Sequence, residues 1–103
     1  MSAPSHSSPE AHPQHAEIVS GGKRIALQHA RFAEVGGGRW LIEFDVDAQG
    51  DTVSLIEIVR GVGLGGSLML SINGGPVVGA ETLTRPRYQT ILSQPVRYEF
   101  AWP

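Results

Sequence analysis

Gly61, Gly63 and Gly66, within RGVGLGGSLML, have the G-x-G-x-x-G spacing of a dinucleotide-binding loop and follow the apolar run VSLIEIV. In such a loop the first glycine makes a tight turn and the second lets a pyrophosphate approach the backbone. The third lets the next helix pack on the sheet with its N-terminus aimed at the phosphates. Glu81 stands twenty residues after Gly61, where an acid for a ribose hydroxyl would be expected. The chemistry also needs a crossover of at least about 10–12 residues that includes a helix. SLMLSINGGP instead reaches Asn73-Gly74-Gly75-Pro76 within a few residues. The glycines are therefore read as a bulge or bend between two strands, and no cofactor is expected.

A second stretch, DVDAQGD, sets Asp45, Asp47, Gly50 and Asp51 close to a calcium-loop pattern. Counting from Asp45, the fifth position is Gln49 and the twelfth, where a bidentate acid belongs, is Ile56. A hairpin turn explains the stretch better. His6, His12 and His15 are weak metal candidates, the last two in HPQH. Imidazoles ligate zinc and copper, but gathering three of them on a Pro-rich tail costs ordering entropy. His29 is read as a strand-surface residue.

No nucleophile elbow, H-E-x-x-H, P-loop lysine or cysteine is present. Glu43, Asp45, Glu57 and Glu99 could pair across strands, and two close carboxylates can divide acid and base roles. Alternation places them on a wet face instead. No catalytic residue is assigned, and the expectation leans away from an enzyme. Arg85-Pro86-Arg87-Tyr88 is a small basic-aromatic cluster on an expected loop. Arg85, Arg87 and Tyr88, with His12, His15 and Ile18, are the candidate partner contacts.

The elements that would hold these residues follow a period of two. RWLIEFDVD alternates Trp40, Ile42, Phe44 and Val46 against Leu41, Glu43, Asp45 and Asp47, the pattern of a half-buried strand. DTVSLIEIV, rich in β-branched residues, is expected to be its hairpin partner across a turn at Asp47–Asp51, with Trp40 opposite Ile58 and Ile42 opposite Ile56. SLMLSI and PVVGA flank Asn73-Gly74, a strong hairpin signal, and Pro76 points to an edge strand. Val96, Tyr98, Phe100 and Trp102 give a closing strand an aromatic core face. KRIALQHARFAEV has helix-forming residues, but its apolar positions make no single stripe and GGG follows as a hairpin loop would, so a strand is expected.

The chain has 103 residues, no cysteine and a formal charge of −2, with its charged residues scattered singly. That length allows one small domain, no disulfide frame and no basic stripe for nucleic acid. No apolar run approaches the ~20 residues that span a bilayer, and no signal peptide is visible, so a cytoplasmic location is the default. Residues 1–22, dominated by Ser, Pro, His, Ala and Gly, are expected to be a flexible or partner-ordered arm, and residues 23–103 a single domain. The fold expected is all-β: an antiparallel sandwich or partly open barrel, Ig-like or jelly-roll-like, of about six or seven strands. The function expected is a non-enzymatic protein-interaction or assembly module, a small subunit of a larger complex or virion-like shell that binds a protein or its own copies. A small-ligand or carbohydrate-binding β module is the alternative, and a metal-dependent enzyme stands behind both.

Overall fold

A computed structural model describes residues 12–63, 66–83 and 94–102. Seven strands follow the chain: β1 (Ala16–Ser20), β2 (Lys23–Ala26), β3 (Arg31–Gly36), β4 (Arg39–Phe44), β5 (Ser67–Ile72), β6 (Val77–Thr82) and β7 (Val96–Ala101). A 3-10 turn (Val46–Ala48) and one helix, α1 (Thr52–Val62), lie between β4 and β5. All seven strands join one open sheet in the order β2-β1-β5-β6-β7-β4-β3, antiparallel throughout. The all-β expectation and its strand number hold.

Two edge strands bound this sheet, and Leu27–Ala30 alone joins them, since β2 runs directly into β3. A flat sheet of seven strands would hold its edges about 29 Å apart, whereas a four-residue link reaches at most about 18 Å. The sheet therefore curls around its apolar face. Gln49, 5% exposed, fixes the link. Its Oε1 accepts the Gln28 N–H at 2.6 Å, and its Nε2 donates to the Gln28 and Asp45 carbonyls, both at 2.9 Å.

Inside the curl, alternation sorts the side chains as the sequence implies. Trp40, Ile42 and Phe44 on β4 stand opposite Phe100, Tyr98 and Val96 on β7, and all are buried. Leu68, Leu70 and Ile72 of β5 and Ala16 and Ile18 of β1 extend the same cluster. Leu55 and Val59 of α1 fill it from above, both with no exposed surface.

Several expectations are corrected. DTVSLIEIV is not a strand beside β4, because β3 and β7 already occupy both edges of β4. Trp40 lies opposite Glu34 and Phe100, and Ile42 opposite Phe32 and Tyr98. Leu55, Val59 and Val62 recur at helical spacing, and burying them on the sheet outweighs the small helix penalty of the β-branched residues. The expected Asp47–Asp51 hairpin turn is instead the 3-10 turn and the approach to α1. KRIALQHARFAEV is β-structure, but in two strands broken at the link, where His29 takes φ 58°. His29 is thus a loop residue rather than a strand-surface one.

Asn73-Gly74 makes the expected hairpin turn, yet β6 lies inside the sheet between β5 and β7. Pro76 precedes its first residue, so the missing N–H costs no ladder bond. The arm boundary is also corrected. Residues 16–20 form β1, hydrogen-bonded to β2 and β5, and Ile18 has no exposed surface. A tail judged on its Ser, Pro and His content hid a five-residue strand.

Candidate functional site

Residues at alternate positions of the strands face away from α1, and nothing among the described residues covers that face. One margin holds two networks of ionised groups. Arg31 of β3 lies 3.0 Å from Glu43 and 3.6 Å from Asp45, and Glu43 is 3.7 Å from Arg97 of β7. Arg39 of β4 reaches Glu99 at 2.8 Å and Glu81 at 3.2 Å. Glu81 and Glu99 stand directly opposite one another on β6 and β7. Like charges so placed repel, and the single Arg39 fork between them offsets this. The Glu99 hydrogen bond, ahead of the charges of Glu99 and Glu81, raises the Arg39 pKa above its ordinary value despite a smaller opposing desolvation effect. The hydrogen bond with Glu43 does the same for Arg31. Arg24 and Glu17, 3.1 Å apart, mark the opposite margin on β2 and β1.

Between these margins the middle of the sheet is uncharged. Met69 of β5 is 42% exposed and Val77 of β6 is 40% exposed. Gly79 lies opposite Met69, so the Met69 thioether rests beside bare backbone. Val19 and Ala101 share this face through the alternation of β1 and β7. An apolar centre inside a charged rim is the usual anatomy of a protein-binding patch. The signal for it was present in SLMLSI: with Leu68 and Leu70 inside, Met69 has to point out.

A shallow cleft of about 280 Å³ opens at Gly66, Ser67, Glu81 and Thr82, where α1 ends and β5 begins. The Thr82 hydroxyl donates to the Gly63 carbonyl at 2.9 Å. Among the described residues no aromatic ring lines it, and its volume falls at the lower limit of small-molecule pockets. Here the glycine motif finds its place. Gly61 lies in α1, and the Gly63 N–H closes its last turn onto the Val59 carbonyl. A Cβ at Gly66 would collide with the Val62 carbonyl oxygen. The bend expected between two strands is instead a helix stop leading into a strand. The helix ends within the motif, so its C-terminal, electronegative end points at Gly63 and Gly66, the reverse of a phosphate loop.

The aromatic residues of the closing strand belong to the core. Tyr98 stacks on Phe44 at 6.2 Å, and Phe100 meets Phe32 edge-on at 6.4 Å. Burial pushes the Tyr98 hydroxyl up to about 12. At one end of the curl the His12 ring meets Trp40 edge-on at 5.8 Å, and Trp40 meets Trp102 at 6.3 Å.

The remaining predicted residues do not converge. His12 and His15 belong to a segment laid against the β5–β6 turn, and His6 lies outside the described residues, as do Arg85, Arg87 and Tyr88. Ile18 is buried in the sheet and offers no surface to a partner. Glu43, Asp45 and Glu99 sit on the outer face with arginine partners, whereas Glu57 is carried on the exposed side of α1. Among the described residues no three His, Asp or Glu side chains gather as a metal-binding group, and no helix is long and apolar enough to cross a membrane. No protein-family model, no curated protein and no solved structure matches the chain.

Proposed function

We propose that this chain is a protein-interaction module that binds a protein surface through the outer face of its curled sheet. The observation that carries the reading is the pair Met69 and Val77, large apolar side chains about two-fifths exposed on the two neighbouring strands β5 and β6. Burying them on a partner removes apolar surface from water, and the Arg31, Arg39 and Arg97 networks set orientation and exclude mismatched surfaces. Exposed ion pairs add little affinity of their own, so the centre supplies the binding energy and the margin the choice of partner. Among the described residues the cleft at Ser67 and Glu81 is lined by no aromatic ring and by one acid, which favours this reading over the ligand-binding one.

The test places a photo-reactive residue at position 69 in one variant and at position 53 in another, because Val53 is apolar and 74% exposed on the helix side. Cross-linked protein, whether a second copy or another chain, is expected from position 69 and not from 53. Met69→Lys with Val77→Lys should abolish association while leaving Tm within a degree or two. Equal cross-linking from both positions, or association that survives the double variant, overturns the proposal.

A further inference from the structure

The turn between β5 and β6 holds more than a hairpin. Asn73 at φ 53° and Gly74 at φ 74° form its two central residues, closed by the Gly75 N–H on the Ile72 carbonyl at 2.8 Å. Asn73 also grips the segment ahead of β1. Its Oδ1 accepts the N–H groups of Gln14 at 2.8 Å and His15 at 3.2 Å. Its Nδ2 donates to the His12 carbonyl at 3.0 Å, and its backbone N–H to the His15 carbonyl at 2.9 Å. From this latch the His12 ring reaches across to meet Trp40 of β4 edge-on, and Pro13 beside it is buried. The segment 12–15 thus straps the hairpin of β6 to β4, bypassing a seam where, among the described residues, β6 and β7 pair at Glu81–Glu99 and Thr82–Tyr98 and the Leu83 N–H bonds the Arg97 carbonyl just beyond.

We propose that Asn73 is a site of spontaneous deamidation, and that the reaction unlatches this strap. Gly74 has no Cβ to hinder its nitrogen, it is exposed, and the turn's own hydrogen bond uses the Gly75 N–H instead. Once its proton passes to a solvent base, the Gly74 nitrogen attacks Cγ of Asn73. A C–N bond closes a succinimide ring, the Cγ–Nδ2 bond breaks, and ammonia leaves with a proton from solvent. Water then opens either ring carbonyl, giving aspartate or isoaspartate at position 73. No oxidant or reductant takes part.

Three side-chain hydrogen bonds and a left-handed φ hold the carboxamide toward the strap and away from Gly74. The reaction therefore proceeds from molecules whose latch has opened, and its rate follows the open fraction. The products differ in effect. An aspartate still accepts from Gln14 and His15 but has no N–H for the His12 carbonyl, so two oxygens face each other there. The outer end of the strap leaves Trp40. An isoaspartate adds a carbon to the backbone of the turn and frees the inner end as well.

The full-length chain is incubated at mildly alkaline pH, beside the same chain unfolded in urea, and mapped by peptide mass spectrometry and NMR. Position 73 is expected to gain one mass unit in the folded chain, several-fold more slowly than in urea. The ring-current shift of the His12 imidazole protons should vanish in the product, and the Gln14 and His15 amides should exchange several-fold faster in the isoaspartate form. Asn73→Asp, a stable copy of one product, should lose the His12 shift alone. A folded chain unchanged at position 73 while the urea sample converts fully overturns the proposal, as does a product or variant that keeps the His12 shift.

Discussion

Tyr98 shows how strongly position in the sheet governs one polar group. It is 1% exposed, stacked on Phe44, with its hydroxyl bonded to nothing among the described residues. Burial disfavours the phenolate and raises the pKa to about 12. The unfolded chain ionises near 10, so above that pH it binds fewer protons than the folded chain, and folding stability falls as pH rises. The decline is expected between about pH 10 and pH 12 and amounts to about 2–3 kcal/mol. Denaturant titrations across that window on a Tyr88→Phe background measure it, and a further Tyr98→Phe substitution should flatten the profile. Arg39 is the counterpart on the wet side. There a guanidinium is held charged by Glu99 and Glu81, and removing it would leave those two carboxylates facing each other.

α1 is the element whose identity most depends on its surroundings. Its buried residues, Leu55 and Val59, lie one turn apart, and Val53 stands outside at 74% exposure. Leu55→Ala is expected to cost about 2–5 kcal/mol through lost burial and a residual cavity. Val53→Ala should be neutral or stabilising by up to about 0.5 kcal/mol, since alanine is the better helix former. A strand would respond to Val53→Ala in the opposite sense, losing a β-branched side chain from a pleated surface. Urea unfolding of both variants distinguishes the two. The outer-face residues belong to the same logic, since they are the odd positions of β5, and the even positions, Leu68, Leu70 and Ile72, are already in the core.

The whole molecule is held by a sheet whose ends must meet. β1 lies second from one edge: it pairs β2 on one side and β5 on the other, so it carries the β2 edge. Removing residues 1–22 would strip β2 of its partner, uncover Leu70 and Ile72 and detach the strap. The chain 23–103 is therefore expected to show no cooperative melting transition by near-UV circular dichroism. Ile18→Ala in the full chain should fold, with a loss of about 2–5 kcal/mol. Without β1 the four-residue link at Leu27–Ala30 would tie β3 to a strand with no place in the sheet.

Alternation in RWLIEF, SLMLSI and VRYEFA specified by itself which side chains turn inward, because a strand has a period of two whatever lies beside it. Asn73-Gly74 and the three glycines before Arg39 likewise specified their hairpins, since local backbone freedom decides such turns. The outer charges were legible as wet-face carboxylates. Their arginine partners were not, because Arg39 meets Glu81 and Glu99 only when β4, β7 and β6 are neighbours. TVSLIEIV fits a strand or a helix locally, and tertiary structure chose the helix by filling both edges of β4. AEIVS buries nothing alone and became a strand because β2 and β5 left a place for it. Pairing across the sheet is non-local, so strand order, the fate of ambiguous segments and the exposed centre at Met69 and Val77 were settled only when the sheet curled.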